Sequence, residues 1–226
     1  MKLLFLATMI LLCSTSTFAG PCIPGTLQNY IALSSGGCTS GNALFKDFQI
    51  APGQSFATPI APAQILVSPG GLPDMPSLRF TLGKSAAAGQ LFESFFHFDV
   101  SGPSLFNATV MLENPSATGD GAVISSLDIC PNASFSGGAP LGCPNTPATL
   151  IALKTATFSS LSDSKDFIAT SFFDVFVDLT IDGGLSGSAT MDSATVRVTV
   201  IPEPASALLI IIGCGVLALA RLRQNP

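Results

Sequence analysis

The chain has 226 residues, of which only 10% are charged against 47% hydrophobic, a ratio unusual for a soluble domain. Of nine basic residues, Lys2, Arg221 and Arg223 sit at the two ends, leaving six against fourteen acids, a net of −8 between them. No cluster of Lys and Arg exists to neutralise phosphates, so nucleic acid is excluded as a partner.

The amino end reads MKLLFLATMILLCSTSTFAG. Lys2 supplies a positive n-region, Leu3 to Cys13 an apolar stretch too short to span a bilayer, and Thr17-Phe18-Ala19 a small-residue cleavage site. Residues 1–19 are therefore expected to be a signal peptide. Cys13 follows Leu12 rather than a small residue, which argues against lipidation.

Export sets an oxidising compartment. Four cysteines lie between the apolar ends, Cys22, Cys38, Cys130 and Cys143. An even number in that setting favours disulfides over metal ligation. Of the three pairings, local closure of Cys22 with Cys38 and of Cys130 with Cys143 is preferred, because each pair brackets a Gly/Pro/Ser-rich loop. Neither pair has the Cys-x-x-Cys spacing of a zinc site, and no metal is expected.

After the signal, Leu27, Tyr30 and Ile31 recur at helical spacing and Gly36-Gly37 stop the pattern, which predicts a short amphipathic helix. Periodicity then switches to two. FKDFQI is a strand, residues 51–76 are proline-rich with Gln64 to Ser68 as their one strand, and SLRFTLG follows. In LFESFFHFDV, Phe92, Phe96, Phe98 and Val100 oppose Glu93, His97 and Asp99. LFNATVMLE, GAVISSLDI and ATLIALKTATF add three more strands. SFFDVFVDLTIDGG is the clearest, with Phe173, Val175, Val177, Leu179 and Ile181 on one face and Asp174, Asp178, Thr180 and Asp182 on the other, a half-buried pattern. ATVRVTV repeats it. Eight or nine short strands without intervening helices predict an all-β fold for residues 20–200, an antiparallel β-sandwich that is jelly-roll or Greek-key like.

Residues that could carry chemistry are few. His97 is the only histidine, and its separation from Asp99 along one strand face is roughly 6.6 Å, so it is read as a solvent-facing strand residue. Asp174, Asp178 and Asp182 are spaced about 13 Å apart by strand rise, beyond the reach of a glycosidase pair, and are read as a solubilising, edge-protecting row. No EF-hand loop, G-x-S-x-G elbow or Gly-rich phosphate loop occurs. The catalytic and cofactor expectations are accordingly none. Flat sugar-stacking rings are scarce, with no Trp and only Tyr30. Asn107-Ala108-Thr109 and Asn132-Ala133-Ser134 match the N-glycosylation pattern.

At the carboxyl end, Ala205 to Ala220 is apolar but for Ser206, about one residue short of the usual spanning minimum. Leu222 and snorkelling arginines extend it. Arg221 and Arg223 are expected to stay in the cytoplasm, leaving the sheets outside. Before the span, Ile201 and Glu203 each precede a proline, which drives them into extended geometry. Glu203 is thus held on a stiff spacer at the membrane surface.

These three parts in order, IPEPAS, apolar span and terminal arginines, resemble the PEP-CTERM sorting signal of exported bacterial proteins. The resemblance covers about the last 25 residues. It implies a sorting signal over residues 201–226, with Pro202, Glu203 and Pro204 as the recognition motif within 201–204, a transmembrane helix over 205–220 and a basic retention tail over 221–226. The implied partners are an exosortase-type membrane transpeptidase, the export machinery, the membrane through the terminal helix, and exopolysaccharide. Ile201 stands where valine is common. TLQNYIALSSGGCTSGNALFKDF also looks like the opening of a group of PEP-CTERM ectodomains with no assigned activity. The expectation is an exported protein of a Gram-negative bacterium, anchored in the inner membrane as a precursor and then placed at the cell surface or in the extracellular matrix in a structural or adhesive role. The alternatives are a carbohydrate-binding module, calcium-dependent or loop-based, and a secreted glycan hydrolase using Glu93, Asp99 or Glu113.

Overall fold

The computed structural model describes residues 19–51, 56–136 and 142–201. The signal segment up to residue 18, the 202–204 motif, the 205–220 span, and Arg221 with Arg223 all lie outside the described residues. Among the described residues no helix is long and apolar enough to cross a membrane.

The first elements are strand β1 (Gly25–Thr26) and helix α1 (Leu27–Ile31). Thr26 caps the helix: its Oγ1 accepts from Asn29 N at 3.2 Å while Thr26 N donates to Asn29 Oδ1 at 2.8 Å, which satisfies two backbone donors that a helix start leaves open. Leu27 and Tyr30 face the core, and the Tyr30 ring meets Phe48 edge-on at 5.2 Å.

The regular elements that follow are two short 3-10 turns, Ser34–Gly36 and Pro62–Gln64, and the strands β2 (Cys38–Ser40), β3 (Ala43–Ile50), β4 (Thr58–Pro59), β5 (Leu66–Leu72), β6 (Met75–Ala87), β7 (Leu91–Glu113), β8 (Ser116–Thr118), β9 (Ala122–Pro131), β10 (Ala148–Thr155), β11 (Ser159–Ser160), β12 (Ser162–Asp182) and β13 (Ser188–Val200). Nearly all pairing is antiparallel; β4 runs parallel to β7.

Two strands are far longer than the sequence pattern announced. β7 has 23 residues and β12 has 21. A straight β7 would extend about 75 Å, several times the radius of gyration, about 16 Å, of a domain this size. Both strands therefore bend. In β7 the bend falls at Gly102-Pro103, where a Cβ on Gly102 would meet Asn42 O at 3.3 Å and the proline, lacking an N–H, faces solvent. In β12 it falls between Asp166 and Phe172, where the register with β7 shifts twice.

The bends divide the strands between two layers. One layer runs β2, β3, the first half of β7, the second half of β12, β9 and β10. The other runs the first half of β12, the second half of β7, β13, β6, β5 and β1. The result is an antiparallel β-sandwich whose layers are joined through shared strands. Its core is phenylalanine-rich: Phe80 of β6 meets Phe96 and Phe98 of β7 at 4.9 and 6.2 Å across the layers, and Phe48 stacks on Phe98 at 4.9 Å. Phe173, Val175, Val177, Leu179 and Ile181 are all buried, as their alternation requires.

Three expectations are corrected. LFESFFHFDV and LFNATVMLE are the two halves of β7, because the Gly-Pro between them turns the strand without ending it. Within the proline-rich segment, Pro62 opens a 3-10 turn through Gln64, so the strand starts at Leu66 and continues to Leu72. Asp174 and its neighbours do not protect an edge, since β12 is paired on both sides there, with β7 and β9.

Candidate functional site

The outer face of the first layer gathers a cluster of ionisable side chains. Alternation turns Glu93, Phe95, His97 and Asp99 of β7 to the same side as Asp174, Phe176 and Asp178 of β12. The register sets Asp174 beside Asp99, Phe176 beside His97 and Asp178 beside Phe95. On the other flank Asp128 of β9 lies beside Phe176. Phe95 and Phe176 touch, with ring centres 5.6 Å apart.

This face is less wet than the sequence pattern implies. Asp174 is 3% exposed, because the chain after β9 folds over it and delivers Phe135 N to its Oδ2 at 2.9 Å. Among the described residues its Oδ1 accepts no hydrogen bond, and it lies 3.7 Å from His97 Nδ1. His97 is accordingly half-buried and not a free surface residue; the neighbouring Asp174 raises its proton affinity, against the opposing effect of burial. Burial, and then the Asp174 charge, push Asp99 up to about 6, although Lys46 Nζ stands 3.3 Å from its Oδ2. Asp178 is likewise pushed up to about 6 by burial, against a hydrogen bond from Thr180 Oγ1, with the Glu93 and Asp128 charges adding to the rise.

The three carboxylates considered for hydrolysis do not converge. Glu93 and Asp99 belong to the first half of β7, whereas Glu113 ends that strand in the other layer. There Glu113 pairs with Arg79 at 2.9 Å and accepts from Thr195 Oγ1 at 2.7 Å. Among the described residues no group of three or more His, Cys, Asp or Glu side chains is arranged to hold a metal ion.

Two disulfides tie the surface. Cys22 joins Cys38 across 16 residues and Cys130 joins Cys143 across 13. The first fastens the segment before α1 to β2, where Cys22 N also donates to Thr39 O at 2.8 Å. The second closes the loop that covers Asp174.

Beside that loop lies a groove of about 550 Å³, between the start of β10 and the bend of β12. Asn132, Asn145, Thr149, Lys165 and Phe167 are among its lining residues. Asn132 has a positive φ of 56°, and its Oδ1 accepts from Thr170 Oγ1. Asn145 Nδ2 donates to Pro131 O at 2.7 Å. The sequence reading missed this site, because its members come from three separated stretches; the only local signal was the polar, turn-rich PNTPAT before β10. Of the two glycosylation patterns, Asn132 is exposed at this groove, while Asn107 sits within β7 with Nδ2 donating to Asp166 Oδ1 at 2.7 Å.

The fold and these features define a disulfide-linked antiparallel β-sandwich with one acid-rich face and one end groove. No protein-family model matches the chain, and no curated protein matches it. Among solved structures it is similar to TmCBM61, solved in complex with beta-1,4-galactotriose, at 14% identity over 54% of this chain and 69% of that one, with a TM-score of 0.23. It is similar to the enzymatically active domain of tailspike protein 4 of bacteriophage CBA120 at 6% identity over 68% of this chain and 19% of that one, TM-score 0.23. It is also similar to Trichoderma harzianum endoglucanase 3 from family GH12, at 14% identity over 60% of this chain and 84% of that one, TM-score 0.22. At such TM-scores these likenesses assign neither a site nor a ligand.

Proposed function

We propose that the chain is an exported bacterial surface or matrix protein, sorted by a PEP-CTERM and exosortase-type system, whose β-sandwich has a structural or adhesive role and no catalytic one. The observation that carries this is how far along the chain the sandwich is held by hydrogen bonds. Val200 N donates to Asp74 O and Ile201 N to Ser104 O, each at 2.8 Å, so the sandwich is hydrogen-bonded up to the residue before Pro202-Glu203-Pro204. A processing enzyme acting at Glu203 would cut two residues beyond Ile201, the last residue that the described sandwich holds by a backbone hydrogen bond. The two disulfides agree with an oxidising destination. The separation of Glu113 from Glu93 and Asp99 supports a non-catalytic reading, as does the engagement of Glu113 by Arg79.

Intact-mass measurement of the surface fraction tests the proposal. Loss of Arg221 and Arg223 together with residues 1–19 is expected, and accumulation of an uncut precursor in a Glu203→Ala strain. A mature protein that still carries Arg221 and Arg223 would refute the processing step. A reporter fused after Pro226 that is active outside the cytoplasmic membrane would refute the orientation.

The groove beside the Cys130–Cys143 loop favours a second reading, that the sandwich is a carbohydrate-binding module. Saturable binding on a glycan array, abolished by chelator only if calcium takes part, separates this from a purely structural role.

A further inference from the structure

We propose that the groove between the start of β10 and the bend of β12 is a subsite for a saccharide bearing a carboxylate, such as a uronic-acid unit of a polysaccharide. This rests on the carbohydrate-binding reading above and adds to it a location and a ligand class.

The chemistry of the lining is the first argument. In a chain with fourteen acids and nine bases, the described residues that line the groove include one cation, Lys165, and no carboxylate; the other polar ones are side-chain amides and hydroxyls. A carboxylate placed beside Lys165 meets a charge-assisted donor, while Asp128, the acid bonded to the lining residue Thr149, approaches from the β9 side. Sugar hydroxyls both donate and accept, and need partners of each kind.

The second argument is that the existing hydrogen bonds already assign those kinds. Thr170 occupies the Asn132 carbonyl, leaving that residue's amide N–H groups as what it offers. Asn145 spends an N–H on Pro131 O, leaving its carbonyl oxygen as an acceptor. Thr149 Oγ1 donates to Asp128 Oδ1, leaving its lone pairs. The groove thus presents an amide donor and two acceptors, each held by a bond within the fold, which lowers the ordering cost of binding, with the Lys165 cation beside them. Phe167 adds an apolar wall; its ring rests on buried Phe173, with centres 4.8 Å apart.

An extended peptide added as a strand fits less well. Such a peptide needs open backbone groups on an edge. Beyond the groove, β10 offers few: Ile151 N is bound to Asp163 Oδ2 at 3.0 Å, and Leu153 and Lys154 pair with β11.

The test is calorimetric titration of the full-length chain in detergent with an oligogalacturonate, a neutral galactan oligomer of equal length, and an alternating Thr-Val peptide. Saturable binding of the oligogalacturonate is expected, tighter than the neutral oligomer by about tenfold or more, the scale of one charge-assisted hydrogen bond, and weakening as salt rises. Lys165 is exposed, so Lys165→Gln is expected to keep the wild-type melting temperature while losing that preference. Equal affinity for the two oligomers, or a preference intact in Lys165→Gln, would overturn the subsite while leaving the carbohydrate-binding reading standing. Binding of neither oligomer would overturn both. Binding of the peptide in place of the sugars would overturn the ligand class.

Discussion

Two carboxyls on the outer face of the first layer, Asp99 and Asp178, stand at about 6 instead of the ordinary 3.8. A raised carboxyl means that the folded state holds the proton more tightly than the unfolded chain does. The resulting stabilisation is fully present below the unfolded value, near pH 4, and is lost as pH rises through about 6. His97 acts with the same sign: the proton it gains beside Asp174 is a folded-state proton, released as pH rises. The charges facing these groups are Lys46 and Asp47 from β3, Asp174 from β12, Glu93 from β7 and Asp128 from β9. For an unscreened group, a displacement of this size corresponds to about 3 kcal/mol; halved for partial solvent access, it is about 1.5 kcal/mol per carboxyl. The double variant Asp99→Asn, Asp178→Asn removes both groups with little change of shape. At about pH 5, midway between about 4 and about 6, roughly half of the two carboxyls' combined effect is in place, about 1.5 kcal/mol. Thermal unfolding of the disulfide-intact wild type is therefore expected to rise by about 3–6 °C between about pH 7.5 and pH 5, using 2–4 °C per kcal/mol for a domain of this size. The double variant is expected to show a flatter profile and, at about pH 7.5, to melt above the wild type. A wild type that melts lower at pH 5 than at pH 7.5, or a double variant less stable than wild type at pH 7.5, would refute the reasoning.

Phe80→Ala should cost about 3–5 kcal/mol in urea unfolding, because Phe80 is fully buried and bridges the layers against Phe96; a loss under about 1 kcal/mol would show that the two layers do not share one core. Gly187→Ala should cripple folding, measured as soluble yield, since its Cβ would lie 2.1 Å from Thr118 O and 2.7 Å from Gly121 N, backbone atoms with no rotamer to yield; Gly36→Ala, whose Cβ meets nothing within 4 Å, is the matched control. Opening the Cys22–Cys38 bond by Cys→Ser exchange at both positions should lower stability by about 3 kcal/mol, the loop-entropy scale for its separation of 16 residues, with an unchanged unfolding midpoint counting against that closure.

The alternation of SFFDVFVDLTIDGG was enough to say which side of that strand is buried, because period two is dictated by the backbone and survives any tertiary context. It could not say what would lie over the opposite side. Asp174 reads as a solvent-facing acid by parity, yet the loop closed by Cys130 and Cys143 arrives from elsewhere in the chain and buries it. The same limit hid the joining of two strand patterns into β7: glycine and proline are turn signals when read locally, and only the packing of two layers makes them a bend within one strand. The groove was least legible, since Asn132, Asn145 and Lys165 share no periodicity and are brought together by the place where β12 leaves β9 for the other layer.

The position of the last strand bears on how a tether would act. β13 is not at an edge: it is hydrogen-bonded along one side to β6 and along the other to β7, and its final residues, Thr199 and Val200, are still paired with Asn107 and Leu105. Inter-strand hydrogen bonds run across the strand axis, so a pull applied beyond Ile201 and directed along that axis loads both ladders in shear, many bonds at once, instead of peeling one at a time. An edge strand such as β1, two residues long and paired with β5 alone, would yield bond by bond under the same load. An attachment made just past Ile201 therefore draws on the best-connected part of the second layer, the arrangement a domain needs if it is to stay folded while held at a surface.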